Sequence, residues 1–185
     1  MERKNARAAS AEFERLIQSG LGRDEVEAFE AALAEALPST SIVRPSYRPS
    51  KTRTPRGRLT VRGKFDVAAE NVRGIESENA SARALAKSGY DVEQNPTVPG
   101  TKKRPDYSIE GEIFDNYAPT TAEIDSVWGN VEEKVRRKQT RRVVINVDSS
   151  PVDLAKLREA FEDQPIDDLE QVLVVNGNSV TELWP

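Results

Sequence analysis

At 185 residues and 20.5 kDa, with 37% hydrophobic and 31% charged residues, the chain has room for one domain of ordinary size and a small appendage. It contains no histidine and no cysteine, which excludes imidazole acid–base catalysis, thiol nucleophiles and zinc sites built from Cys or His. The formal net charge of −4 is unevenly spread: residues 44 to 64 hold eight Lys or Arg and no acid, residues 134 to 142 hold six basic residues, and the chain after Asp148 is acidic. That distribution fits local contact with phosphate better than a general affinity for nucleic acid.

In chain order, residues 10–19 and 24–37 read as two short amphipathic helices; Val26, Phe29, Ala32, Leu33 and Leu37 recur at helical spacing before Pro38. Residues 1–37 are therefore expected to be a short helical hairpin or delivery segment. Residues 38–58, with Pro38, Pro45, Pro49 and Pro55 among Ser, Thr and basic side chains, read as an extended, solvated linker. From residue 59 to 185 the pattern becomes α/β. Leu59 to Val61 reads as a short strand, and residues 75–88 as a helix that buries Ile75, Ala82, Leu85 and Ala86 and ends at Gly89. Residues 90–93 read as a strand. Residues 106–110 and 112–117 alternate like two antiparallel strands joined at Gly111. A charged helix over 121–138, an apolar strand over 143–147 and a helix over 150–161 follow, the last with Ser150 as its cap, Pro151 at the first position and Asp153 at the third. Residues 169–175 and 179–183 close as a strand pair around Asn176-Gly177-Asn178. The order predicts an α/β fold of three layers, a mixed central sheet flanked by helices. No apolar run approaches the roughly 18 residues of a membrane span, and no apolar stretch of a secretory signal follows the first residues.

Four residues carry the chemistry. Asp106 and Asp115 stand nine positions apart on the two strands of a predicted hairpin, Glu78 lies on the preceding helix and Lys134 on the following one. Three carboxylates and a cation are what a divalent metal beside a phosphodiester needs: oxygen ligands that leave positions open for water and phosphate, and a positive charge for the transition state. Lys102, Lys103 and Arg104 directly precede Asp106, and Lys138, Gln139, Thr140 and Arg141 follow at the helix end, placed to grip a phosphate backbone. Each residue alone also has an ordinary reading, Asp106 and Asp115 as turn residues and Glu78 and the basic run as solvated surface.

The motifs around these residues add a resemblance. Glu78-Asn79-Ala80, Leu85-Ala86, Gly89-Tyr90-Asp91-Val92 and Gln94-Asn95-Pro96 resemble the C-terminal toxin domains of contact-dependent growth inhibition (CdiA) proteins. Arg104-Pro105-Asp106-Tyr107, Ile109-Glu110-Gly111, Phe114-Asp115 with Tyr117 and Pro119, and Lys138-Gln139-Thr140 extend it over residues 70–185. The resemblance implies a restriction-endonuclease-like, PD-(D/E)xK-type core and a tRNA nuclease delivered into neighbouring bacteria, acting in their cytoplasm and neutralised by a cognate immunity protein. It makes Glu78, Asp106 and Asp115 the metal-site acids, with Mg2+ or Mn2+ as cofactor, and Lys134 the catalytic lysine. It gives Lys102, Lys103, Arg104, Lys138, Gln139, Thr140 and Arg141 to RNA binding. One departure is plain: Asp115 is followed by Asn116 and Tyr117, so no Asp-x-Lys stands on that strand, and the lysine is sought on the helix, as Lys134 or Lys138. Two other readings share the sequence. One is a DNA endonuclease on the same core, since nothing in the residues reads a 2′-hydroxyl. The other is a non-catalytic α/β module that docks a basic protein through acidic residues such as Glu162, Asp163, Asp167, Asp168 and Glu170.

Overall fold

Two continuous aliphatic runs, Val143-Val144-Ile145 and Val172 to Val175, have no polar alternation, so both faces of each strand must be covered. In the structure, a computed structural model that describes residues 42–63, 68–98 and 104–185, they form the fifth and sixth strands of a seven-stranded sheet with strands in sequential order. The expected hairpin of residues 1–37, and Lys102 and Lys103, lie outside the described residues. The elements are β1 (Arg56–Gly57), α1 (Ala69–Lys87), β2 (Val92–Gln94), β3 (Tyr107–Ile109), β4 (Glu112–Tyr117), α2 (Ile124–Arg136), β5 (Arg142–Asn146), α3 (Leu154–Asp163), β6 (Gln171–Asn176) and β7 (Ser179–Trp184). The β1/β2, β4/β5 and β5/β6 pairs are parallel and the others antiparallel.

Alternation along the strands makes two cores. Val144, Leu173, Val175, Tyr107 and Phe114 face α1, where Ala82, Leu85 and Ala86 meet them. Val143, Ile145, Val172 and Val174 face Val127, Val131 and Val135 of α2 and Leu157 and Phe161 of α3. Helices thus cover both faces, and the expected mixed α/β fold is present. Among the described residues no helix is long and apolar enough to cross a membrane.

Local chemistry explains most boundaries. The β3–β4 hairpin turns through Glu110 (φ 51°) and Gly111 (φ 87°), two consecutive left-handed residues that match the strands' twist. Helix α1 ends in a Schellman arrangement, Gly89 N–H to Ala86 O at 3.1 Å and Tyr90 N–H to Leu85 O at 3.2 Å. Gly89 has φ +100°, and a Cβ there would stand 2.2 Å from the carbonyl oxygen of Tyr47. Gly89→Ala therefore meets both strain and a backbone clash, and is expected to cost more than about 2 kcal/mol of stability, read as a lower urea midpoint.

Several expectations are corrected. Residues 42–58 are largely exposed, as expected of a solvated segment, but they are anchored at Val43, which is buried and whose N–H donates to the Gln171 side chain at 2.9 Å and whose carbonyl accepts from it at 3.0 Å. The first strand is Arg56–Gly57 rather than residues 59–61, because Gly57 can approach Gln94 closely while the chain beyond it turns to bond side chains instead of a ladder. Helix α1 starts at Ala69, earlier than expected, because Ala68 supplies no side-chain cap to mark it. Helix α3 is capped by Asp153, whose Oδ1 accepts from Ala155 and Lys156 N–H, and not by Ser150. Ser150 precedes a proline, which favours extended backbone, and so stays outside the helix.

Candidate active site

The register of the hairpin assembles the site. Tyr107 pairs with Phe114, so Asp106, one residue before β3, lies across from Asp115 in the adjacent strand, and the Asn116 N–H donates to Asp106 Oδ2 at 2.7 Å. Asp115 is buried, and Lys134 on α2 brings its Nζ to 3.7 Å from Asp115 Oδ2. Lys134 is thus brought to Asp115 by the packing of α2. Lys138 stands at the end of the helix and lines a neighbouring cavity instead.

Glu78 reaches the same end of the sheet from α1. It is not a solvated face residue: Thr60 Oγ1 donates to its Oε1, and Gln94 Nε2 donates to the same oxygen at 3.1 Å. Beneath it the fully buried Tyr107 donates its hydroxyl to the Glu78 carbonyl at 2.7 Å. Burial, reinforced by the charges of Asp106 and Glu78, raises the Tyr107 phenol well above its ordinary range, so it acts as a neutral donor.

Asp106 registers its neighbours electrostatically. Burial pushes its carboxyl up to about 7, and the charges of Glu78 and Asp115 add to the shift; the Asn116 N–H and the Lys134 ammonium oppose it. A carboxyl held near neutrality among other acids is the electrostatic mark of a functional site.

The acids do not converge on a single ion. Strand alternation sends Phe114 and Asn116 toward α1, where Asn116 Nδ2 donates to Ser77 Oγ at 3.3 Å, and sends Asp115 toward Lys134 of α2. Glu78 and Asp115 therefore approach from opposite faces. Among the described residues no group of three acidic side chains is close enough to hold a metal ion. The oxygen chemistry still suits a hard cation: the buried Gln94 Oε1 and Asn116 Oδ1 have no hydrogen-bond donor, and Mg2+ is commonly held by one or two carboxylates, with water and phosphate oxygens completing its shell.

The basic residues divide. A cavity of about 580 Å³ is lined by Pro105, Ile113, Val135, Lys138, Gln139 and Arg141, among others. Lys138 is left-handed (φ 55°) at the position after the α2 cap, where glycine is usual; its N–H bonds Val135 O at 2.8 Å, and Gln139 N–H bonds Lys134 O at 3.0 Å. Arg104 is exposed just before Pro105-Asp106. Arg141 pairs with Asp168 at 3.2 Å and Glu170 at 3.0 Å. Thr140 is buried, its hydroxyl donating toward Arg142 O at 2.6 Å and Ile113 O at 3.2 Å, so it secures the helix-to-strand turn. Sequence reasoning gave no role to Thr60, Asn79, Gln94, Asn95 or Asn116. The available signal was a strand ending in Gln94-Asn95, since amides at buried strand positions need partners.

The model of the contact-dependent growth inhibition CdiA C-terminal domain matches residues 102–180. The tRNA nuclease CdiA-2 of Burkholderia pseudomallei (strain 1026b) is 39% identical over 104 residues, 56% of this chain; the match spans only 3% of that relative's length. A chain of the CdiA-CT/CdiI toxin and immunity complex from Burkholderia pseudomallei superposes with a TM-score of 0.66 at 34% identity, covering 71% of this chain and 99% of that one. With a relative covered almost end to end at that identity, the chain belongs to the family of contact-dependent growth inhibition CdiA C-terminal domains.

Proposed function

We propose that this chain is a tRNA-cleaving nuclease that acts as a growth-inhibition toxin domain and is held in check by a cognate immunity protein. Its relatives support that reading, one named a tRNA nuclease and another solved as a toxin and immunity complex. The observation that carries the chemistry is Asp106 opposite Asp115 with Lys134 at 3.7 Å from the latter. In the proposed mechanism Asp106 and Asp115 hold a divalent cation of the Mg2+ or Mn2+ class. When bound, such an ion polarises water and offsets phosphate charge. Asp106, ionised near neutral pH, orients the attacking water. Lys134 faces the charge that develops on the phosphate oxygens, and Glu78 adds its charge from the α1 side. Lys138 and Arg104 meet the RNA backbone, so binding weakens as salt rises.

The test is total tRNA and plasmid DNA incubated side by side with the chain in Mg2+, Mn2+ or EDTA, next to Asp106→Ala. Discrete tRNA fragments that require metal and vanish in the variant are expected. Cut plasmid with intact tRNA replaces the reading with a DNA endonuclease. Metal-independent fragments remove the cation from it. Two intact substrates leave the non-catalytic docking module.

A further inference from the structure

The nuclease mechanism leaves a dense polar cluster around Glu78 without a role. Thr60 sits in a segment whose flanking residues face solvent, Leu59 being 56% and Val61 78% exposed. Its hydroxyl donates to Glu78 Oε1 and accepts from Asn95 Nδ2 at 2.8 Å and from Gln94 Nε2 at 3.3 Å. The Gln94 amide has two hydrogens and its contacts to Asn79 and Glu78 are the shorter ones, so the firm partners of the hydroxyl are Glu78 and Asn95. Its peptide is gripped as firmly: Thr60 N–H donates to Asn79 Oδ1 at 3.1 Å, and Asn79 Nδ2 donates back to Thr60 O at 2.9 Å. The Asn79 amide thereby takes the place of a neighbouring strand. Gln94, fully buried, ties the cluster together by donating to Asn79 Oδ1 at 2.7 Å and to Glu78 Oε1 at 3.1 Å. Asn95, left-handed at φ 53°, also donates to Arg58 O at 2.8 Å.

We infer that Thr60 is a positioning residue for the Glu78 carboxylate, and that residues 58–60, clamped by Asn79, Gln94 and Asn95, are a working part of the site. The inference deepens the nuclease reading and rests on it. A glutamate on a helix face has several rotamers of similar energy; a hydroxyl that is itself held by Asn95 selects one and fixes the position of Glu78 Oε1. The segment contributes by geometry and does not touch the reacting atoms.

The experiment compares single-turnover and steady-state tRNA cleavage by the whole chain with Thr60→Val, Thr60→Ser and, as a control on the exposed neighbour, Val61→Thr. Thr60→Val keeps the shape and removes the hydroxyl. It is expected to lower kcat about 10- to 100-fold with KM changed less than about twofold. Thr60→Ser restores kcat to within about threefold of the parent, and Val61→Thr matches the parent. Melting temperatures within about 2 °C of one another show that packing is intact. A Thr60→Val protein with unchanged kcat, with its loss in KM, or with no rescue by serine overturns the inference. Should Thr60→Val unfold at the assay temperature, Asn95→Gly carries the same test, because it removes a donor to the hydroxyl from an exposed side chain and glycine accepts the left-handed backbone there. If the parent cleaves no tRNA, the nuclease reading fails, and carboxylate-labelled protein decides the clamp: the Glu78 resonance moves in Thr60→Val and not in Val61→Thr, and no movement overturns it.

Discussion

Replacing Asp106 by Asn is expected to abolish tRNA cleavage and, above neutral pH, to raise the melting temperature. Both effects come from one property. The Asp106 carboxyl is raised to about 7, by burial first and then by the charges of Glu78 and Asp115. A carboxyl raised in the folded state binds its proton more tightly there than in the unfolded chain. The stability linked to that proton is therefore fully present below the ordinary carboxylate value, near 4, and is lost as pH rises through about 7. Asparagine resembles the protonated acid and keeps an oxygen for the Asn116 N–H. The variant should match the parent at pH 4 and exceed it by a growing margin up to pH 7 to 8. The shift corresponds to a few kcal/mol at most, or roughly several degrees in Tm. Thermal melts at closely spaced pH values check it, and parallel curves remove the assignment. In the parent, cleavage should rise with pH through about 7, and more divalent cation should move that midpoint down, because a bound positive charge favours the ionised carboxyl.

Lys134→Met should lower kcat on the order of 100- to 1000-fold with little change in KM, whereas Lys138→Ala should do the opposite. Lys134 Nζ lies 3.7 Å from Asp115 Oδ2 and opposes the upward shift of Asp106. Its removal takes away both the cation facing the phosphate and the charge that helps Asp106 ionise. The pH midpoint of the remaining activity should therefore rise. Lys138 lines the cavity at the end of α2. Its loss should raise KM and reduce the slope of log affinity against log salt by about one, as expected for one phosphate contact. Cleavage rates with the two variants across a salt series separate the roles. A kcat effect confined to Lys138 would transfer the catalytic lysine to that position.

The parts of the fold that were legible in the sequence are those in which neighbours in the chain are neighbours in space. The hairpin around Gly111, the apolar strands β5 and β6 and the stop at Gly89 all carry their cause within a few residues. Asp106 and Asp115 were legible for the same reason, since a tight turn fixes which residues of two strands face each other. Lys134 was legible from helical spacing together with the resemblance. Boundaries failed where the signal was weak or doubled: Ala68 gives no cap, and Ser150 and Asp153 compete for one.

By itself the sequence determined the α/β order, the absence of histidine and cysteine chemistry, and which acids and lysine are candidates for the site. Tertiary structure alone decided how those acids stand to one another. Alternation on β4 and the placement of α1 and α2 on opposite faces bring Glu78 and Asp115 from two sides, and no linear spacing encodes which face a distant helix will cover. It also decided that residues 42–60 belong to the domain. Val43 bonds Gln171, 128 positions away, and Thr60 bonds Glu78, 18 positions away. Hydroxyl and amide groups have no periodic signature, and their partners are chosen only when burial makes an unpaired polar group costly.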